Sequence, residues 1–279
     1  MSYRSLIVHL DDDARSEPRT AVAACLARTC DADLAGVYIV KNPDIPPGVL
    51  AMLPADIAAR RLEERLKAQR DAEVRFRRIA TESRLTAIEF RAPAGDELDA
   101  AVLHARYADL AILGQPTPDD DQADFERDLL HAVLMRSGRP SLIVPFVSQG
   151  QPLGERVLVA WKDTREAALA LAGALPLLQH ARSVVVTTVG HKPDIEPEDK
   201  IAESRVMSWL ERHRIAAKFQ REVAEDIDAG NLLLSRAADI AADMIVMGAY
   251  SRPRVAELVL GGVTRLMLSS MTVPVLMAH

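Results

Sequence analysis

Apolar residues fall along this chain in short unbroken runs separated by longer amphipathic stretches. Val157-Leu158-Val159-Ala160 and Met244-Ile245-Val246-Met247 carry no polar alternation, which marks strands covered on both faces, as in a parallel sheet. Between such runs apolar positions recur at helical spacing. After Thr164, a natural N-cap, the residues Ala168, Leu171, Ala172 and Leu175 share one face. In the second half the pattern predicts strand 156–161, helix 165–180, strand 183–189, helix 198–213 and strand 216–222. Helix 230–240, strand 243–248, helix 262–271 and strand 273–278 complete it. Five strands with intervening helices and right-handed crossovers indicate an open, doubly wound α/β sheet.

The chain also repeats itself. Ala108-Asp109-Leu110-Ala111-Ile112-Leu113-Gly114 corresponds to Ala242-Asp243-Met244-Ile245-Val246-Met247-Gly248, and the segment around Pro140 to that around Pro274. Position 248 lies 134 after 114, and 274 lies 134 after 140. The openings Ser5–Leu10 and Arg156–Trp161 match as apolar strands followed by Asp-containing turns. Two copies of one domain, 1–147 and 154–279, are therefore expected, with a polar linker near 146–154 containing two glycines and a proline. The first copy has a longer middle helix, 55–83, whose alternating charges mark a solvated face rather than a nucleic-acid site. The apolar final strands, 141–145 and 273–278, suit pairing with each other, making one chain a pseudo-dimer.

A length of 279 residues with 49% hydrophobic content suits two domains of ordinary size, and a net charge of −6 gives no general attraction to nucleic acid or anionic membrane. No apolar run reaches the length of a membrane span, and the first ten residues lack a signal-peptide pattern, so a cytoplasmic location is expected. Cys25 and Cys30 lack a second ligand pair for zinc and do not form a CxxC motif; they read as reduced thiols. The seven histidines form no ligand-spaced pair.

In a doubly wound sheet, ligands bind at the carboxyl ends of the strands. In the second half that edge collects Ala160, Trp161 and Asp163 after the first strand, Val189 after the second, Met247 and Gly248, and a helix start at Gly261-Gly262-Val263-Thr264. Glycine lets an anion approach the unpaired N–H groups of a helix N-terminus. Ser251, Arg252 and Arg254, in the intervening loop, and the Thr264 hydroxyl are further candidates for phosphate. The alternative is that Gly248 ends a strand and Gly261-Gly262 merely permit a tight helix entry. Trp161 has two readings: a stacking surface for adenine, or helix packing.

The segment from Gly248 to Thr264 resembles the nucleotide-binding signature of the universal stress protein family: glycine, two residues, glycine, nine residues, glycine, then serine or threonine. Ser251 stands at the second glycine and Gly262 at the hydroxyl position, while Val273-Pro274-Val275-Leu276 is similar to the family's last strand. The resemblance covers essentially the whole chain twice. It implies two tandem, Rossmann-like, five-stranded parallel-sheet domains of the adenine nucleotide alpha hydrolase type. It also implies a cytoplasmic stress-response module that binds ATP or ADP, with Mg²⁺, mainly in its second domain and turns it over weakly or not at all. An unidentified protein partner and a homodimer go with that reading. The different reading is a nucleotide-free interaction protein on the same fold.

Both halves depart from the family pattern. An aspartate common directly after the first strand is replaced by Lys162; the neighbouring Asp163 either substitutes for it or helps Thr164 cap the helix. The first half keeps Asp11, within Asp11-Asp12-Asp13, but after Gly114 it carries aspartates and no glycine, so no ATP is expected there. The aspartate run also admits an Mg²⁺-dependent phosphoryl-transfer reading, for which Lys41 is the one partner at a strand end; a solvated turn is the alternative. His9, on a predicted core strand, reads as a satisfied interior side chain.

Overall fold

The structure, a computed structural model, describes residues 2–41, 54–116, 123–190, 197–224, 228–250 and 262–279. The first half comprises β1 (Ser5–Leu10), α1 (Ser16–Cys30), β2 (Asp33–Tyr38), α2 (Ala55–Glu82), β3 (Ile88–Arg91), α3 (Glu97–Arg106), β4 (Leu110–Gly114), α4 (Ala123–Arg136) and β5 (Ser141–Val144). The second comprises β6 (Arg156–Ala160), α5 (Arg165–Gly173), α6 (Leu175–Leu178), β7 (Ser183–Gly190), α7 (Pro197–Arg212), β8 (Ala217–Val223), α8 (Ala229–Asp239), β9 (Met244–Gly248), α9 (Gly262–Ser270) and β10 (Val275–Ala278).

Among these residues ten strands form one sheet, in the order β3-β2-β1-β4-β5-β10-β9-β6-β7-β8. Within each half all pairings are parallel and the order is the same. The halves meet where β5 runs antiparallel to β10, with Leu142 opposite Leu276. Position 276 is 134 after 142, so each residue of that pair faces its own counterpart, and a pseudo-twofold axis passes between them. The expected pairing of the final strands is present, and it makes one continuous sheet.

Alternate side chains of the strands feed two cores. One face packs under α1, α2, α5, α6 and α7, the other under α3, α4, α8 and α9, and both cores draw on both halves. Among the described residues two side-chain hydrogen bonds bind the halves beyond the sheet. The Tyr3 hydroxyl donates to the Gly173 carbonyl at 2.6 Å, and Gln115 Nε2 donates to the Leu268 carbonyl at 2.9 Å. Each half also uses one aspartate to tie down its first strand. Asp109 accepts from the N–H groups of Arg4 and Ser5, and Asp243, 134 positions later, from those of Gly154, Glu155 and Arg156.

The expected helix 165–180 is two helices. Pro176 has no N–H to give the carbonyl four residues back, so the helix breaks after Gly173 and restarts with proline in its first turn. The last strand begins at Val275 rather than 273, because Pro274 contributes only its carbonyl, which accepts from Ile245. The outer half of α2, up to Lys67, is exposed throughout, as its charge pattern indicates.

Leu276 is fully buried at the junction. Leu276→Ala is expected to lower stability by about 2–5 kcal/mol in urea unfolding, and a loss below about 1 kcal/mol would contradict a close-packed join.

Candidate functional site

The second-half crevice is assembled from strand ends. Ala160 pairs with Thr187 and Met247, which places the ends of β6, β7 and β9 side by side. The Trp161 N–H donates to the Thr187 carbonyl at 2.8 Å, and its ring packs partly buried against the core under α5–α7. The indole Nε1 is buried with no partner among the described residues. Lys162 and Asp163 are exposed. Thr164 caps α5 with its own hydroxyl oxygen, which accepts from the Ala167 N–H at 3.3 Å. Met247 is buried, whereas Val189 and Val263 are partly buried against the opposite core.

Gly248 has a packing requirement. A Cβ there would lie 2.5 Å from the Ala167 nitrogen and 2.7 Å from the Glu166 carbonyl carbon. The first turn of α5 therefore rests directly on the end of β9, and only glycine admits it. Gly262, the first residue of α9, is the opposite case: it is exposed, and a Cβ would meet no described residue within 4 Å. Between them Ala249 donates to the Ala278 carbonyl, and Tyr250 holds the left-handed conformation at φ 58°. The Tyr250 N–H points to the hydroxyl oxygen of the buried Thr264, 3.4 Å away, which ties the strand end to the first turn of α9. Ser251, Arg252, Arg254 and Gly261 lie outside the described residues.

The first-half crevice is built on the same plan and filled by the protein itself. Arg19, on α1, is buried, and its Nη2 reaches Asp11 Oδ2 at 2.7 Å. Its guanidinium lies over Gly114, where a Cβ would come within 2.2 Å of Nη1. One turn earlier, Arg15 pairs with Asp13, lies 3.7 Å from Glu126, and stacks its guanidinium 5.0 Å above the Phe146 ring centroid. Asp12 accepts from the Tyr38 hydroxyl at 2.9 Å. The aspartate run is a turn in which each carboxylate has its own partner, Asp12 remaining exposed. Its spacing against Arg15 and Arg19, four residues apart on one helix face, was the available signal. Among the described residues no group of three or more His, Cys, Asp or Glu side chains is placed to hold a metal ion. The aspartates after Gly114, at 119–121, lie outside the described residues.

Electrostatics follow from burial. Burial pushes the Asp11 carboxyl up, but the Arg19 charge and hydrogen bonds from Arg19 and the Asp13 N–H outweigh it and hold Asp11 below the usual carboxylate range. His9 is buried, with Nε2 donating to the Ile39 carbonyl at 2.7 Å. Burial, and then the neighbouring Arg19, lower its pKa from 6.5 to about 4. It is neutral at physiological pH, so its 3.8 Å approach to Asp11 is no ion pair.

These values fix a pH dependence. The unfolded chain protonates His9 near pH 6.5 and the folded chain only near about pH 4, so stability falls as pH drops through that window. Asp11, depressed when folded, adds stability that is lost only at still lower pH. His9→Gln is expected to flatten the decline between pH 6.5 and about 4 in urea titrations; an unchanged slope would contradict a neutral interior His9.

Residues 154–279 match the model of the universal stress protein family. Among solved structures the chain is similar to a universal stress protein from Archaeoglobus fulgidus DSM 4304, at 16% identity and TM-score 0.71, covering 98% of this chain and 94% of that one. It is also similar to a functionally unknown protein from Pseudomonas aeruginosa PAO1, at 14% identity and TM-score 0.55, covering 98% and 92% respectively. Comparison with curated proteins gave no match.

Proposed function

We propose that this chain, which belongs to the universal stress protein family through residues 154–279, is a tandem member that binds ATP or ADP in its second half. The observation that carries the reading is the start of α9. Its first N–H groups have no intrahelical acceptors, the helix dipole favours an anion there, and Gly262 leaves the approach open. The backbone of Gly262 and Val263 would hold phosphate. Thr264, whose oxygen accepts from Tyr250, keeps its own proton to donate. Gly261, Ser251 and Arg252 extend the same loop, with Ala160, Trp161, Asp163, Val189 and Met247 toward the nucleoside. A bound Mg²⁺ would supply charge neutralisation at the phosphates.

The reading assigns no general base, so it favours binding and conformational signalling in a cytoplasmic stress response over turnover. The first half takes no part in nucleotide binding: Arg19 occupies the equivalent place beneath Gly114. A second reading, a nucleotide-free interaction protein, is favoured by Gly248, whose need for glycine is explained by α5 packing alone.

Nucleotide extracted from protein purified without added ligand, followed by calorimetry with ATP–Mg²⁺, separates the two. The expected result is bound adenine nucleotide or measurable heat; neither, at millimolar ATP, leaves the second reading. Gly262→Val meets none of the described residues, so the unfolding midpoint should hold while affinity falls by at least about tenfold through obstruction of the helix start. Unchanged affinity would place the phosphate elsewhere.

A further inference from the structure

We propose that the first half positions the two described elements flanking the second half's phosphate site, Tyr250 at the end of β9 and helix α9, through His131 and Gln115, a role that deepens the nucleotide reading above and rests on it. The two flanks, Tyr250 after β9 and helix α9, are each gripped from across the junction, the second at its C-terminal end. On the first flank, the Tyr250 ring meets His131 of α4 edge-to-face, with centroids 5.4 Å apart and planes at 87°. His279 closes the other side at 6.1 Å, and its Nδ1 lies 3.1 Å from the Ala249 carbonyl oxygen. Burial holds His131 below the usual histidine range, so it meets Tyr250 as a neutral aromatic ring. On the second flank, Gln115 Nε2 donates to the Leu268 carbonyl in the last turn of α9, a group with no acceptor role inside the helix. The Gln115 amide is itself fixed, because Oε1 accepts from the Phe146 N–H at 3.0 Å.

The grip runs one way. At the 134-residue offset, the first half has Pro116 where the second has Tyr250, and the second has Ala249 where the first has Gln115. Neither Pro116 nor Ala249 carries an aromatic ring or an amide to return the contact. The half whose crevice is filled by Arg19 thus supplies the holding groups, and the half with the open helix start receives them. Tyr250 needs such holding. A non-glycine residue at φ 58° is strained, and its N–H is the group that ties the strand end to Thr264. A helix start kept in one place presents its N–H groups with a smaller ordering penalty on binding.

The test uses the full chain with His131→Ala and His131→Phe, and reads amide hydrogen exchange without ligand and ATP–Mg²⁺ affinity by calorimetry. His131→Ala should speed exchange at Tyr250 and across 262–266 without changing it in β1–β4. It should also weaken ATP–Mg²⁺ binding by about tenfold. His131→Phe keeps an edge-on ring and should restore both. Native exchange and affinity in His131→Ala, or no rescue by phenylalanine, would overturn the proposal. If the native chain binds no ATP, the exchange arm still decides: faster local exchange in His131→Ala supports positioning while the nucleotide reading falls, and unchanged exchange sinks both. Should His131→Ala fail to fold, Gln115→Leu, which removes the donor to Leu268 at similar volume, is read the same way over 262–270.

Discussion

The antiparallel pairing of β5 with β10 is the contact on which the rest of the molecule depends. Alone, each half would end its sheet in a short, largely apolar strand with an unpaired row of N–H and C=O groups. Paired, the two strands bury each other's edges and continue one sheet across ten strands. The helices follow from that, since every crossover packs on one of two faces shared by both halves. So does the crevice geometry: α4 lies close enough to Tyr250 for ring contact only because β5 holds its neighbour β10 in register.

The same strand-end glycine is used in two different ways. At Gly248 the missing Cβ admits a helix backbone; at Gly114 it admits a guanidinium. The second choice has electrostatic consequences, because a buried arginine needs a carboxylate, and Asp11 supplies it at 2.7 Å. Once Arg19 is paired there, its guanidinium takes the space beside Gly114. A duplicated fold thus keeps its architecture while its two crevices diverge, Arg19 against Gly114 being one of the differences.

Much of this was legible in the chain. Apolar runs located four strands of the second half to within a residue or two, because strands buried on both faces leave few polar positions to confuse the pattern; the edge strand β8, with Lys218, Gln220, Arg221 and Glu222, has no such run. The 134-residue repeat located the second copy and the pairing of the two final strands. Asp109 and Asp243 were visible as part of that repeat, but their task, gathering the N–H groups that enter the first strands, appears only when the strands are adjacent. The break at Gly173 was written in Pro176 and masked by the helical apolar face around it. Arg19 beneath Gly114 and Tyr250 against His131 depend on approaches between distant segments, and local periodicity carries no trace of them. Asp163 shows the limit from the other side: two roles were open to it, and the capping role belongs to Thr164.

Joining the paired strands within one polypeptide also changes what amount of protein can do to them. Two separate copies meeting through such strands would associate and dissociate with concentration. Here the segment between Val144 and Arg156 sets the local concentration of one strand about the other. Dilution does not part them. Every molecule carries one self-filled crevice and one open helix start in fixed proportion, whatever the level to which the protein is expressed.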